Sequence, residues 1–170
     1  MSIQRLNHAV LYVRDAARSA TFYRDVLGFR TVHEMPGAVF VQAPGSTNDH
    51  DLGLFSIGDG AGPTTAGRSS VGLYHLAWEV DTLDELERIA AVLSAAGSLV
   101  GASDHGTSKS LYAKDPDGIE LEVAWLVPSA ALTPADTMYS RPMPLDIAAA
   151  KARYGASTLG GVGVSTPAPA

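Results

Sequence analysis

Apolar and polar residues alternate along this chain with two periods, which predict strands and helices in a repeating order. Residues 6–13, LNHAVLYV, follow the period of two that is typical of a strand. The next segment, DAARSATFYRDVLGF, has apolar residues at helical spacing, with Asp15 as its N-cap and Gly28 at its end. A weak strand, FRTVHEM, and two further strands, AVFVQA and DLGLFSI, follow. This order predicts a βαβββ module.

The same order returns in the second half of the chain. The segment GLYHLAWEV predicts a strand, and TLDELERIAAVLSAAG predicts a helix with a capping box from Thr82 to Glu85 and an end at Gly97. The segment KSLYAK, the turn DPDG and the strand IELEVAW complete the second copy.

Alignment of the two halves pairs His8 with His75 and Gly53 with Glu122. Because there are only two copies of about 70 residues each, the repeat indicates a paired module rather than a solenoid. We therefore predict an α+β fold in which two βαβββ modules, at about residues 3–57 and 70–127, are related by an internal pseudo-twofold axis.

The composition changes between the modules and again after the second one. A link rich in Gly, Ser and Thr joins the modules, which together form one predicted domain over residues 1–128. Residues 129–156 form a C-terminal extension that is broken by prolines and in which LDIAAAKARYG predicts one amphipathic helix. Residues 157–170 are predicted to be disordered.

Charge and composition narrow the class of protein. The net charge of −6 and the scattered Lys and Arg residues argue against a nucleic acid as partner. No apolar run reaches the length of about 18 residues that a membrane span needs, and MSIQRLNHAV does not read as a secretory signal. We therefore expect a cytoplasmic protein that binds a small molecule. Because the chain has no cysteine, a metal would have to bind His, Asp or Glu.

Two histidines and one glutamate are candidate metal ligands. His8 and His75 each interrupt an apolar strand, and a core histidine bonded to a carbonyl is the ordinary explanation for either one alone. Their equivalence under the repeat favours a shared site. Glu122 lies within the apolar strand IELEVAW, where a carboxylate is costly unless it is paired or bound to metal. A solvent-facing edge strand is the alternative, and it explains Glu120 better than Glu122.

The remaining histidines are less distinctive. His50 stands beside Asp51 in NDHDLGLF, where a metal ligand, a structural residue and a proton carrier are all open interpretations. His105 lies in a predicted loop, where histidines are more often solvated than functional, and Tyr112 lies on the following strand. His33 is assigned to the surface.

The stretch from YHLAWEV to DPDGIELEVAW resembles the vicinal oxygen chelate superfamily, specifically its single-domain type I extradiol (catechol 2,3-) dioxygenase-like branch. The superfamily also includes glyoxalase I and the bleomycin and fosfomycin resistance proteins. The resemblance covers about residues 5–128 and rests on a histidine in the first strand of each module and a glutamate four residues after the DPDG glycine. Three narrower matches, His50, His105 and Tyr112, favour the dioxygenase branch.

The resemblance implies curved mixed sheets around a metal site. His8, His75 and Glu122 would hold Fe(II), with Mn(II) as the alternative, as two histidines and one carboxylate on one face of the ion. The substrates would be a small aromatic diol and O2, and the assembly would be a homodimer.

The resemblance also implies roles for the other matched residues. His50 would carry a proton between the substrate and the oxygen that adds to it, while His105 and Tyr112 would hydrogen-bond the diol oxygens. Asp51 is then left with a surface or orienting role.

Two departures and two alternatives accompany this interpretation. The spacing from His105 to Tyr112 is shorter than in the larger dioxygenases, and the chain has one pair of modules where those enzymes have two. A glyoxalase-like metal isomerase or lyase is the first alternative, but it would place a fourth ligand where this chain has Gly53. A metal-free antibiotic-binding resistance protein is the second, and it would have no use for the three ligands.

Overall fold

The computed structural model describes residues 2–3, 5–67, 69–138 and 141–161. The chain divides into two compact units. Unit 1 comprises the residues up to Ser70 together with Asp115–Ile119, and unit 2 comprises Val71–Lys114 together with the residues from Glu120 onward. The division falls at the link that the sequence predicts between the modules. Within the described part of the chain, no helix has the length and apolar character that crossing a bilayer requires.

Unit 1 contains a four-stranded mixed sheet and one helix. Its elements are β1 (Ala9–Val13), α1 (Ala16–Leu27), β2 (Arg30–Met35), β3 (Ala38–Gln42) and β4 (Leu52–Ser56). The strand order is β1-β4-β3-β2, with β1 parallel to β4 and the other pairs antiparallel. The predicted weak strand is therefore β2, although all its residues are exposed.

Helix α1 begins and ends where the sequence predicts. The Asp15 carboxylate accepts hydrogen bonds from the backbone N–H groups of Ala17 and Arg18, and Gly28 ends the helix with a φ of 73°. The apolar face of the helix buries Tyr23, whose exposed fraction is 1%. Burial, followed by the charges of Asp115 and Asp117, raises the pKa of the Tyr23 phenol.

Unit 2 repeats the order of unit 1. Its first elements are β5 (Leu76–Glu79), α2 (Leu83–Ala95), β6 (Leu99–Asp104), β7 (Ser108–Lys114) and β8 (Glu120–Leu126). The strand order is β5-β8-β7-β6-β9, in which β9 (Met143–Pro144) comes from the C-terminal extension. The apolar stripe of α2 is buried, as the sequence predicts: Leu83, Leu86, Ile89 and Leu93.

The start of α2 corrects one detail of the prediction. The Thr82 hydroxyl accepts a hydrogen bond from the backbone N–H of Glu85 at 3.2 Å, which is the first half of a capping box. The Glu85 carboxylate instead accepts two hydrogen bonds from the Arg88 guanidinium, at 2.7 and 2.6 Å. Glu85 lies in the first turn and pairs along the helix rather than back to the N-cap.

Strand register confirms the internal repeat. In unit 1, Val10 on β1 pairs with Gly53 on the parallel strand β4. In unit 2, Ala77 on β5 pairs with Glu122 on the parallel strand β8. Val10 and Ala77 each lie two positions after the first histidine of their module. Their partners, Gly53 and Glu122, are aligned with one another in the repeat. The predicted α+β class with two βαβββ modules is therefore confirmed.

The C-terminal extension is an ordered part of unit 2. It contains a short helix α3 (Pro134–Thr137), strand β9 and helix α4 (Ile147–Tyr154), which is the helix that the sequence predicts. The prediction of disorder from residue 157 begins too early. The indole N–H of Trp125 donates to the Thr158 carbonyl at 3.2 Å, and Gly161 N–H donates to the Leu126 carbonyl at 2.9 Å. Residues 162–170, for which disorder is also predicted, lie outside the described residues.

Asp136 is the buried polar centre of this extension, with an exposed fraction of 2%. Its carboxylate accepts hydrogen bonds from the Thr133 backbone and hydroxyl, at 2.8 and 2.7 Å, and from Arg153 at 2.8 Å. Burial alone would raise the pKa of the Asp136 carboxyl, but the bonds from Thr133 and the charge of Arg153 outweigh it and hold the pKa well below its ordinary value.

The first prediction concerns the stability of the Asp136→Asn variant. Because the folded-state pKa of Asp136 is lowered, its stabilisation is complete above about pH 5 and is lost as the pH falls through and below the ordinary carboxyl pKa of about 4. We expect the variant to lose about 2 kcal/mol at pH 7, or roughly 4–8 °C in Tm. Thermal unfolding between pH 3 and pH 7 should then show a smaller acid-induced decrease in Tm than in the parent. Parallel curves for the two proteins would contradict this assignment.

Candidate metal centre

The two candidate ligand histidines occupy equivalent places in the two units. The sequence predicts both histidines within strands. In the structure, His8 directly precedes β1 and His75 directly precedes β5, so each lies one residue before its strand. Both strands begin later than expected. The equivalence under the repeat is kept, because each histidine lies one residue before the first strand of its unit.

Unit 2 brings His75 and Glu122 into direct contact. The His75 Nε2 atom lies 3.0 Å from Glu122 Oε2, and both side chains are largely buried, with exposed fractions of 23% and 14%. Glu122 lies at the centre of β8 between Ala77 on β5 and Tyr112 on β7. The edge-strand alternative for Glu122 is therefore wrong, since β8 has a paired strand on each side.

The donor atoms of this pair suit a metal ion. The separation of 3.0 Å between His75 Nε2 and Glu122 Oε2 is that of a direct hydrogen bond, and it is also short enough for both atoms to bind one ion. The buried Nδ1 atom of His75 has no hydrogen-bond partner among the described residues, and Glu120 Oε1 is 3.9 Å away. An imidazole and a carboxylate at this separation fit the predicted donor set.

In unit 1, His8 presents one ring nitrogen as an acceptor. Its Nδ1 lies 2.8 Å from Asn7 Oδ1. Because an amide oxygen only accepts hydrogen bonds, Nδ1 donates, and in the neutral ring the lone pair that can bind a metal is then on Nε2. The orienting bond to Asn7 is of the kind that fixes ligand histidines.

The three predicted ligands are divided between the units, His8 in unit 1 and His75 with Glu122 in unit 2. Among the described residues, no group of three or more His, Asp or Glu side chains is close enough to hold a metal ion. The assembled three-ligand set therefore stays a prediction.

His50 lies beside His8 and is oriented by an aspartate. The two imidazole rings are 4.5 Å apart at their centroids, and His50 Nδ1 lies 2.9 Å from Asp49 Oδ2. The carboxylate can only accept, so Nδ1 donates, and in the neutral ring the lone pair is on Nε2. The hydrogen bond from His50 is the main cause that lowers the pKa of the exposed Asp49 carboxyl. Phe40 meets the His50 ring edge-on at 5.1 Å.

Phenylalanine side chains occupy the space beside Gly53, the position that aligns with Glu122. A Cβ atom at Gly53 would lie 3.3 Å from Phe55 Cε2 and 3.4 Å from Phe40 Cε1. The Phe40 and Phe55 rings pack edge-to-face at 5.8 Å. A side chain at position 53 would be in tight contact with this aromatic pair, which would have to shift by a few tenths of an ångström. Sequence reasoning missed the pair because a lone Phe in a strand reads as core.

His105 and Tyr112 form a hydrogen-bonded pair in unit 2. His105 Nε2 lies 2.8 Å from the Tyr112 hydroxyl, and the Tyr112 ring is 5.9 Å from the His75 ring. Burial, and then the neighbouring Glu122 charge, raise the pKa of the Tyr112 phenol to about 12. Tyr112 is therefore a neutral hydroxyl at physiological pH. A loop histidine with this partner is not simply solvated.

The remaining sequence candidates are Asp51 and His33. Asp51 is 7% exposed, so its predicted surface role is wrong and its orienting role is correct. It accepts hydrogen bonds from Ala43 N–H, the Ser46 hydroxyl and the Asn48 amide, at 2.8, 2.8 and 2.7 Å, and so organises the loop that carries His50. His33 is exposed on β2, as predicted.

The fold and these residues define a class of protein, namely a paired-module α+β domain with a histidine before the first strand of each module and a carboxylate on the last strand of the second. The chain matches the family model of the Glyoxalase/Bleomycin resistance protein/Dioxygenase superfamily over residues 5–123. It belongs to that superfamily.

Two curated relatives are named as dioxygenases of aromatic diols. Catechol-2,3-dioxygenase of Bacillus subtilis (strain 168) is 30% identical over 118 residues, which cover 69% of this chain and 40% of that protein. Biphenyl-2,3-diol 1,2-dioxygenase 3 of Rhodococcus globerulus is 33% identical over 122 residues, which cover 70% of this chain and 63% of that protein. The chain thus spans less than two thirds of the length of these relatives.

A solved structure supports the fold. The crystal structure of a glyoxylase/bleomycin resistance protein/dioxygenase domain from Frankia sp. EAN1pec is similar with a TM-score of 0.60 and 24% identity, over 72% of this chain and 92% of that one. At this identity the likeness concerns the fold alone.

Proposed function

We propose that this protein is a non-haem Fe(II)-dependent extradiol dioxygenase that cleaves a catechol-type ring with O2. His8, His75 and Glu122 would hold the metal. The contact between His75 Nε2 and Glu122 Oε2 at 3.0 Å is the observation that carries the proposal, because it brings together an imidazole and a carboxylate at the spacing of two ligands on one ion. The names of the curated relatives support the reaction class.

The metal would supply a path for electrons between the diol and O2, whose direct reaction is spin-forbidden. The protein side chains would do the proton chemistry. His50 Nε2, which is free because Nδ1 is bonded to Asp49, would accept the proton of a substrate hydroxyl. Asp49 would stabilise the imidazolium that forms, since its carboxylate already accepts a hydrogen bond from Nδ1–H.

Tyr112 and His105 would orient the diol. With a pKa of about 12, Tyr112 keeps its proton and donates a hydrogen bond rather than acting as a base. Because its hydroxyl also contacts His105 Nε2 at 2.8 Å, the two side chains would present one fixed arrangement of hydrogen-bonding groups to the diol oxygens.

Phe40 and Phe55 favour this reaction over a glyoxalase-like isomerisation that needs a fourth ligand. Their rings would be in tight contact with the Cβ atom of such a ligand at position 53. The nitrogen and oxygen donors suit either Fe(II) or Mn(II), so the choice of metal rests on the resemblance. We also propose a small aromatic diol as substrate and a homodimer as assembly.

Anaerobic purification with metal analysis, followed by oxygen uptake with a panel of substituted catechols, tests the proposed function. We expect about one iron or manganese ion per chain and uptake of one O2 per diol consumed, with a ring-opened product of the semialdehyde type. Stoichiometric zinc or nickel with turnover of a thiol–glyoxal adduct, and no oxygen uptake, would support a lyase instead. A protein that binds no metal would support the antibiotic-binding alternative.

A further inference from the structure

The C-terminal extension contacts the turn that carries His105. Strand β9 of the extension pairs with the end of β6, where Ser103 is opposite Pro144 and Asp104 is opposite Met143. His105 is the next residue, and its backbone N–H donates to the Ser108 carbonyl at 2.9 Å to close the β6–β7 turn. The extension lies beyond residues 5–123, which match the family model.

A buried lysine donates hydrogen bonds to the β6–β7 turn. Lys109 has an exposed fraction of 2%, and its Nζ donates to Asp104 Oδ1 at 2.7 Å and to the Gly106 carbonyl at 3.0 Å. The Gly106 N–H donates to the same Asp104 oxygen at 2.7 Å. An ammonium taken out of water is costly unless its donors are satisfied, so these bonds fix the backbone on both sides of His105.

The extension provides the remaining contact of this lysine. Lys109 Nζ lies 5.3 Å from the centroid of the Tyr154 ring on α4, within the range of a cation–π interaction. The Tyr154 hydroxyl donates to Asp136 Oδ1 at 3.2 Å, and its ring packs against Trp125 at 5.5 Å. Tyr154 is thus positioned by Asp136 and Trp125, and its ring contacts Lys109.

Lys109 acts through the turn and not on the substrate. Lys109 and Tyr112 are separated by three positions on β7, and because side chains alternate along a strand they point to opposite faces of the sheet. Tyr112 faces Glu122 and His75, while Lys109 is on the buried face with Trp125, its partner in register on β8.

We propose that Tyr154 of the C-terminal extension is a positioning residue, which through Lys109 and the β6–β7 turn sets the place of His105 against Tyr112. The inference rests on the proposed function for its catalytic consequence. The positioning of His105 by Tyr154 is argued from the contacts of unit 2 alone. An error of about 1 Å in the place of a substrate-orienting group can cost up to about 100-fold in rate, so support from the extension matters for turnover.

The test compares imidazole nitrogen signals of His105 in the full chain labelled with 15N-histidine and prepared without added metal. His105→Gln assigns the signals among the five histidines. Tyr154→Leu removes the ring over Lys109, and Tyr154→Phe keeps the ring while removing the bond to Asp136. Lys151→Gln is the matched control, because it removes contacts of α4 with Asp84 and Glu87 on α2 without touching Lys109.

We expect Tyr154→Leu to shift the His105 signals from a single tautomer bonded to Tyr112 towards mixed tautomers. Tyr154→Phe and Lys151→Gln should leave them unchanged. Unshifted His105 signals in Tyr154→Leu, or an equal shift in Lys151→Gln, would overturn the proposal. If Tyr154→Leu does not fold, Lys109→Met decides the same question, since it keeps the volume of the side chain but removes both bonds to the turn.

Oxygen uptake with catechol, measured on the iron-loaded variants, separates this inference from the proposed function. We expect kcat/KM to fall about 10-fold in Tyr154→Leu and to recover in Tyr154→Phe. Absence of turnover in the parent would reject the dioxygenase function while the nitrogen signals still decide the positioning role. Full turnover in Tyr154→Leu would overturn the catalytic consequence.

Discussion

Replacing Glu122 by alanine should abolish metal retention and, with it, ring cleavage. Partners that only orient a ligand are worth about 10–100-fold in metal affinity, so the loss of the single carboxylate ligand should exceed 100-fold. His75 would also lose the group that lies 3.0 Å from its Nε2. The measurement is the metal content per chain after anaerobic reconstitution and gel filtration, together with oxygen uptake.

Glu120 offers a matched control for this variant. It lies two residues before Glu122 on the same face of β8, and its Oε1 is 3.9 Å from His75 Nδ1. Glu120→Ala therefore removes a neighbouring negative charge but not the proposed ligand, and we expect it to keep most of the metal. Equal metal loss in both variants would mean that local charge, and not coordination, retains the ion. Stoichiometric metal in Glu122→Ala would show that the ligand assignment is wrong.

The elements that the sequence predicts well are those whose signals are local. Asp15 and Gly28 delimit α1 because capping depends on the backbone next to each residue. The alignment of Gly53 with Glu122 predicts their equivalent register in the two sheets, because the repeat carries the same alternation of apolar residues in each copy. The pairing of His75 with Glu122 follows from that register.

The features that the sequence does not reveal depend on contacts between distant segments. Lysine side chains are rarely buried, yet Lys109 is 2% exposed and contacts Tyr154 and the turn at Gly106. Asp136 is buried only because Arg153 and Thr133 converge on it. Residues 157–161 are low in apolar content and read as disordered, but hydrogen bonds to Trp125 and Leu126 on β8 order them. No local pattern encodes such contacts.

A second limit concerns short polar loops. Asp51 reads as a surface residue in NDHDLGLF because a carboxylate beside a turn is usually solvated. Its burial follows from the donors that the loop folds around it, one of which is the backbone N–H of Ala43. The residue that looked like part of a ligand cluster thus supports the loop, and His50 alone faces His8.

His50→Ala should keep the metal and lose most of the ring cleavage. Its imidazole lies 4.5 Å from that of His8 between ring centroids, with the planes tilted by 35°, and its Nδ1 is bonded to Asp49, which leaves Nε2 as the atom that would move a proton. General acid–base groups contribute about 10²–10⁴-fold in rate, and we expect a loss of turnover in this range. Metal content and oxygen uptake are measured on the same preparation, and added imidazole should restore part of the activity.

His33→Ala is the control for His50→Ala, because His33 is an exposed histidine on β2 whose ring lies 5.7 Å from Phe40, the same side chain that His50 contacts. It should keep both metal and turnover, which would show that the loss in His50→Ala does not come from disturbing Phe40. Loss of metal in His50→Ala would instead make His50 a ligand, and the proton would then need another acceptor. Because Tyr112 keeps its proton with a pKa of about 12, it could not take that role near neutral pH.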